Sequence, residues 1–155
     1  KIMTTKRNAL VVAGLLVSVI GVGNVWAHGN VVPQAVETQG LTPIKDAGVP
    51  VDGDGWAATN PYRKSPEHDK AVEIGSSAYN QNCAACHGLE AKSGGIAPDL
   101  RMLDVADAGD EWFVERVRHG SARYGRVYMP KMADHLSQEA LWAVRTYLDS
   151  VHVEE

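Results

Sequence analysis

The sequence predicts an all-α domain over residues 65–155, preceded by an irregular arm over residues 28–64 and a removable leader over residues 1–27. Three observations carry that prediction. Apolar residues recur three and four apart in three separate stretches, as they do along one face of a helix. Each of those stretches is bounded by helix start or stop chemistry: Ser65-Pro66-Glu67, Gly88, Gly120 and Ser137. The only two cysteines stand three apart with a histidine directly after the second, in Cys83-Ala84-Ala85-Cys86-His87, a spacing that puts all three side chains on one helical turn.

The leader is read from its composition. Lys6 and Arg7 are basic, residues 9–23 are almost wholly apolar, and Val25-Trp26-Ala27 offers small residues at the two positions a signal peptidase reads. A cleaved export signal and a periplasmic location are expected. The apolar run falls short of the roughly 20 residues of a membrane span, so no stable membrane insertion is expected. Removing residues 1–27 takes three basic residues and no acid, leaving 12 basic and 19 acidic side chains and a formal charge of −7. That balance argues against nucleic acid as a partner. An oxidising compartment would also pair the two cysteines unless another chemistry used them.

Residues 28–64 are rich in glycine, proline and short polar residues and show no apolar period, the texture of an irregular segment. Within it, Asp52-Gly53-Asp54-Gly55 is similar to the start of a calcium loop, but the twelfth position, where an acid is needed, holds Arg63. Turn chemistry is its expected role. At Ser65-Pro66-Glu67 a helix is expected to begin: serine caps, proline suits the first turn, and glutamate complements the dipole. Ala71, Ile74, Gly75, Ala78 and Tyr79 then lead at helical spacing to Cys83. Gly75 is out of place by propensity, at about 1 kcal/mol inside a helix, unless another helix approaches closely there.

The motif that follows is the c-type haem attachment pattern. Cys83 and Cys86 would form thioethers with the haem vinyl groups while the His87 imidazole takes an axial position on the iron. A thioredoxin-like redox pair would sit on a βαβ pattern, and nothing around position 83 alternates or runs apolar like a buried strand. A structural zinc site needs a second ligand pair, and a disulfide across two residues closes too small a loop to stabilise much. One covalent haem c per chain is the expected cofactor.

Gly88 stops this helix, and the loop over residues 89–100 carries Gly94-Gly95-Ile96-Ala97-Pro98, whose backbone is free to approach a haem. Asp110 is expected to cap a helix over residues 111–119, with Trp112, Phe113, Val114 and Val117 as its apolar members. Turns and basic residues come next: residues 116–131 hold Arg116, Arg118, His119, Arg123, Arg126 and Lys131 and no acid. Tyr128-Met129-Pro130 follows. Ser137 then opens the last helix, whose buried stripe is expected to be Leu141, Val144, Tyr147, Leu148 and Val151.

Taken together, Gly75 and Tyr79 ahead of Cys83, the motif to His87, Pro98, Met129-Pro130 and a terminal helix with Val144 and Tyr147 resemble the class I cytochromes c over about residues 65–152. The resemblance implies one covalent haem enclosed by three to four helices, with the first and last helices crossing at Gly75. It implies that the Pro98 carbonyl accepts a hydrogen bond from His87, fixing the ring as outer partners of a ligand do. It also implies that Met129, stiffened by Pro130, is the sixth ligand; Met132 is the runner-up and Met102 the remaining candidate. Within the family, Tyr79-Asn80-Gln81-Asn82-Cys83, residues 94–101, Asp110-Glu111-Trp112-Phe113 and the His28-Gly29-Asn30-Val31-Val32-Pro33 segment look like small periplasmic cytochromes that accept electrons from pyrroloquinoline-quinone alcohol dehydrogenases.

The expected function is therefore that of a monomeric electron carrier rather than an enzyme. A quinoprotein alcohol dehydrogenase would be the donor and a downstream cytochrome or oxidase the acceptor. Methionine opposite histidine raises the potential, which suits delivery towards an oxidase. Two rivals remain: a haem enzyme or gas sensor with an open axial position, and a fixed haem subunit of a larger complex with residues 28–64 as its attachment.

Overall fold

A computed structural model describes residues 32–154; the expected leader and the first residues of the arm lie outside the described residues. The helices are α1 (His68–Asn82), α2 (Ala84–His87), α3 (Asp107–His119) and α4 (Gln138–Ser150), and between α3 and α4 lies a hairpin of β1 (Ser121–Arg123) and β2 (Arg126–Met129). Short 3-10 turns at Ile44–Asp46, Leu89–Ala91, Leu100–Met102 and Met132–Asp134 join them. No helix among the described residues is long and apolar enough to cross a membrane.

The crossing of α1 with α4 is the frame. Ala71, Ile74, Ala78 and Tyr79 of α1 share one core with Leu141, Val144, Tyr147 and Leu148 of α4. At Gly75 the helices nearly touch: a Cβ there would lie 1.9 Å from the Ala143 carbonyl oxygen and 3.0 Å from the Tyr147 Cβ. Only a residue without a side chain allows that approach. One turn further on, the Tyr79 and Tyr147 rings pack tilted with centroids 5.4 Å apart, an arrangement worth about 0.5–1.5 kcal/mol beyond the area it buries.

Two helix starts differ from expectation. Ser65 holds a tight turn instead of capping, its hydroxyl accepting from the Glu67 N–H (3.1 Å) and its carbonyl from the His68 N–H (3.1 Å), so α1 begins at His68. Glu67 is drawn away from the helix axis, accepting from the Thr42 N–H at 2.8 Å and the Thr42 hydroxyl at 2.5 Å. Asp110 does not cap α3 either: the helix begins at Asp107 and Asp110 is fully buried inside it. Two guanidinium groups outcompete helix amides for its carboxylate. Arg63 donates to both oxygens at 2.8 and 2.5 Å, Arg145 donates through Nε at 2.8 Å, and the Asn60 N–H adds a fourth bond at 2.8 Å. By contrast Ser137 does cap α4, accepting from the Ala140 N–H at 3.2 Å.

The arm is irregular and wraps the helices closely. Leu41, Ile44, Ala57 and Tyr62 are buried in the same core as α1 and α4. Polar ties fix its path: Ile44 N–H to Glu139 (3.0 Å), Ala57 N–H to Gln138 (2.6 Å), Asn60 to Thr146 (3.0 Å) and Arg63 to Asp149 (2.8 Å). The acidic turn closes as expected, Asp52 accepting from the Asp54 and Trp56 N–H groups, both at 2.9 Å. Arg118 of α3 then clasps Asp52 at 2.6 Å and Asp54 at 2.7 Å while lying over the Trp56 ring. With the arm on one side and α1 on the other, every residue of α4 from Ala140 to Leu148 is buried, which is wider than the stripe the periodicity predicts.

The hairpin is the element that the sequence reading takes only for turns. Tyr124 and Gly125 both have positive φ (50° and 74°), as a two-residue hairpin turn demands, and Arg123 stands opposite Arg126. Strands of three and four residues are too short to show a period.

Candidate haem site

Cys83 interrupts what would otherwise be one helix. Its own N–H still bonds to the Tyr79 carbonyl (2.8 Å), and its carbonyl accepts from both Cys86 (3.1 Å) and His87 (3.0 Å), so the motif forms one separate turn, α2, after α1. Gly88 ends it at φ 82°, where a Cβ would lie 1.9 Å from the Lys92 carbonyl oxygen. The Tyr79 hydroxyl donates to the Gly88 carbonyl at 2.7 Å, tying the end of the motif back to α1. That contact was not foreseen; a tyrosine one turn ahead of the motif, on its apolar face, was the available signal.

His87 is buried and its Nδ1 lies 2.9 Å from the Pro98 carbonyl oxygen. A carbonyl can only accept, so the proton sits on Nδ1 and the lone pair on Nε2. The loop bearing Pro98 is braced on both sides: Ser93 donates its hydroxyl to the Ala97 carbonyl, and Asp99 accepts from the Ser93 N–H (3.2 Å) and from Arg101 (2.8 Å). Arg101 above all holds the Asp99 carboxyl down at about 2, so the brace stays ionised at neutral pH.

Both cysteines are free and half-buried. Burial, with the neighbouring Cys86, pushes the Cys83 thiol up to about 12. Reactive redox cysteines show the opposite shift, which weighs against a thiol-disulfide centre. Among the described residues no group of three His, Cys, Asp or Glu side chains is placed to hold a bare metal ion. The donor set is thus two thiols and one oriented imidazole on a single turn. It lacks the ligands of a zinc site but fits a metal that brings its own macrocycle and needs only attachment and axial donors.

The methionines separate by burial. Met132 is 4% exposed inside the main core, Met129 is half-buried at its edge, and Met102 is 40% exposed. Met129 ends β2, and its backbone passes so near α3 that a Cβ on Gly120 would lie 2.4 Å from the Met129 carbonyl oxygen. Gly120, at φ 66°, therefore stops α3 and also sets the height of the methionine loop.

A helical body crossing at a glycine, one Cys-x-x-Cys-His turn and an imidazole held by a proline carbonyl are the marks of a cytochrome c. The family described as cytochrome c oxidase, cbb3-type, subunit III, matches residues 70–148. The chain is 61% identical over 150 residues to cytochrome c550 of Pseudomonas aeruginosa, covering 96% of this chain and 95% of that protein. It is 34% identical over 95 residues to quinohemoprotein alcohol dehydrogenase ADH IIB of Pseudomonas putida, which is 61% of this chain and 13% of that one. It is 33% identical over 90 residues to the dehydrogenase subunit of the alcohol dehydrogenase (quinone) of Gluconobacter oxydans, 57% of this chain and 11% of that subunit. No solved structure matches the chain. The chain belongs to the cytochrome c family, whose prosthetic group is haem, and within it is a homologue of cytochrome c550.

Proposed function

We propose that the chain is an exported single-haem electron carrier, reduced by a quinoprotein alcohol dehydrogenase and oxidised by a downstream cytochrome or terminal oxidase. Cys83 and Cys86 would hold the haem as thioethers, and His87 and Met129 would ligate its iron. The observation that carries this reading is the His87 Nδ1 bond to Pro98, which presents Nε2 as a ligand of one orientation. Bound there, haem supplies a one-electron couple. The residues of the chain orient the imidazole and offer a thioether from a loop stiffened by Pro130. A thioether donor supports a carrier over an enzyme or gas sensor, which needs an open position. The arm's ties to α1, α3 and α4 support a self-contained carrier over a subunit that uses the arm as its attachment. The alcohol dehydrogenase as donor is supported by the likeness to the two quinone-dependent alcohol dehydrogenases named above.

The test is a reduction assay: oxidised holoprotein mixed with a purified quinoprotein alcohol dehydrogenase and ethanol, followed by the haem spectrum. Reduction in step with ethanol oxidation is expected. Absence of reduction removes the donor assignment, and rapid carbon monoxide binding by the ferrous protein removes the closed axial site.

A further inference from the structure

Residues 116–131 hold five Lys and Arg and no Asp or Glu, in a chain whose formal charge is −4. The structure splits this run in two. Arg118 is consumed by Asp52 and Asp54, and Arg116 lies over the Trp112 ring and reaches the Gly120 carbonyl. Arg123, Arg126 and Lys131 are exposed and have no carboxylate partner among the described residues.

The hairpin tip is built against its own stability. Arg123 and Arg126 are direct cross-strand partners, and like charges so placed repel. Between them Tyr124 takes a positive φ that glycine would adopt with less strain, and its side chain is 101% exposed. A two-stranded hairpin is marginal to begin with. Features that break local rules without compensation inside the fold mark functional sites, and exposed tyrosine and arginine together are the residue types that dominate binding energy at protein interfaces. The tip is also close to the proposed iron ligand: three residue steps along β2, at about 3.3 Å each, lead from Arg126 to Met129.

We propose that the tip Arg123-Tyr124-Gly125-Arg126, with Lys131, is the docking point for an acidic face of the protein that reduces this chain. The proposal rests on the electron-carrier reading and adds the surface and its sign. Three exposed cations on one short stretch of chain, without acid partners among the described residues, attract an acidic protein surface and raise its association rate, while Tyr124 supplies the contact that holds register.

The test uses the holoprotein with Arg123→Glu and Arg126→Glu combined, against Lys45→Glu and Lys64→Glu combined, which make the same change of net charge on the arm. A third variant, Arg123→Gln with Arg126→Gln, removes the repulsion as well as the charge and guards against misfolding. Two rates are read across a salt series: reduction by the purified quinoprotein alcohol dehydrogenase with ethanol, and oxidation of the reduced protein by anionic ferricyanide and by cationic tris(phenanthroline)cobalt(III). The glutamate variant should lose about tenfold or more of the dehydrogenase rate at low salt, within the range that steering supplies. It should also be oxidised more slowly by ferricyanide and faster by the cobalt complex, with the glutamine variant in between and the arm variant near wild type. If wild type is not reduced by the dehydrogenase but the ferricyanide and cobalt rates shift as stated, the donor assignment fails and the charged docking point stands. Equal losses from the hairpin and arm variants overturn the docking point, as does a dehydrogenase rate indifferent to salt. Binding of wild type but not the glutamate variant to phosphatidylglycerol vesicles, with protein-partner rates unchanged, would overturn it in favour of a lipid surface.

Discussion

Gly75→Ala tests the helix crossing on which the site is hung. A carbon–oxygen contact ordinarily needs about 3.3 Å, whereas the new Cβ would sit 1.9 Å from the Ala143 carbonyl oxygen and 2.4 Å from its carbon. Both are backbone atoms, so no rotamer relieves the overlap, and α1 and α4 must part by more than an ångström. Overpacking of this kind costs about 3 kcal/mol at the upper end, and alanine recovers about 1 kcal/mol of helix propensity over glycine. The net expectation is a loss of about 2 kcal/mol, which for a chain of this size lowers Tm by about 6 °C. Thermal and urea unfolding of the holoprotein, with the haem spectrum recorded beforehand, measure it. Gly53→Ala is the control, since no atom lies within 4 Å of its added Cβ, and its effect should stay within about 0.5 kcal/mol. A Gly75→Ala protein as stable as wild type would refute the close crossing.

Met129→Ala should leave haem attachment intact, abolish the weak sulfur-to-iron absorption band and open the iron to carbon monoxide. Met132→Ala should keep that band and lose about 2–5 kcal/mol of stability, as truncation of a buried side chain does; the reverse pattern would make Met132 the ligand. Burial alone would raise the pKa of Asp110, but hydrogen bonds from Arg63, the Asn60 N–H and Arg145 outweigh it and hold the carboxyl below its ordinary value. A depressed folded pKa contributes stability above the unfolded value, near 3.9, and loses it as pH falls towards the folded one. Urea unfolding should therefore show stability falling with acid below about pH 4. Asp110→Asn should flatten part of that slope, leaving the part due to Asp99, and cost about 1.5–3 kcal/mol at neutral pH by removing a charged acceptor from Arg63 and Arg145, which both keep Asp149. A variant with an unchanged acid slope would show that Asp110 is not the titrating group.

The motif and the helices that bear it were legible in the sequence, because they depend on spacing along a single chain; the role of Pro98 was legible only through the resemblance to the cytochromes c. Two residues between thiols and a glycine where a helix should not want one are local facts, and local geometry follows from them. The Gly75 crossing was legible for the same reason: a propensity penalty inside an apolar stripe has few explanations besides close approach. The role of Asp110 was not. One residue ahead of a predicted helix a carboxylate reads as a cap, and only when residues 60–63 and α4 are folded against it do Arg63 and Arg145 arrive to claim it. The same tertiary closure buries Arg145 and Thr146, which periodicity assigns to no stripe, and spends Arg118 on Asp52 and Asp54 while leaving Arg123 and Arg126 face to face. Which charges are paired and which remain for a partner is set by contacts between segments distant in sequence, and only the folded chain decides them.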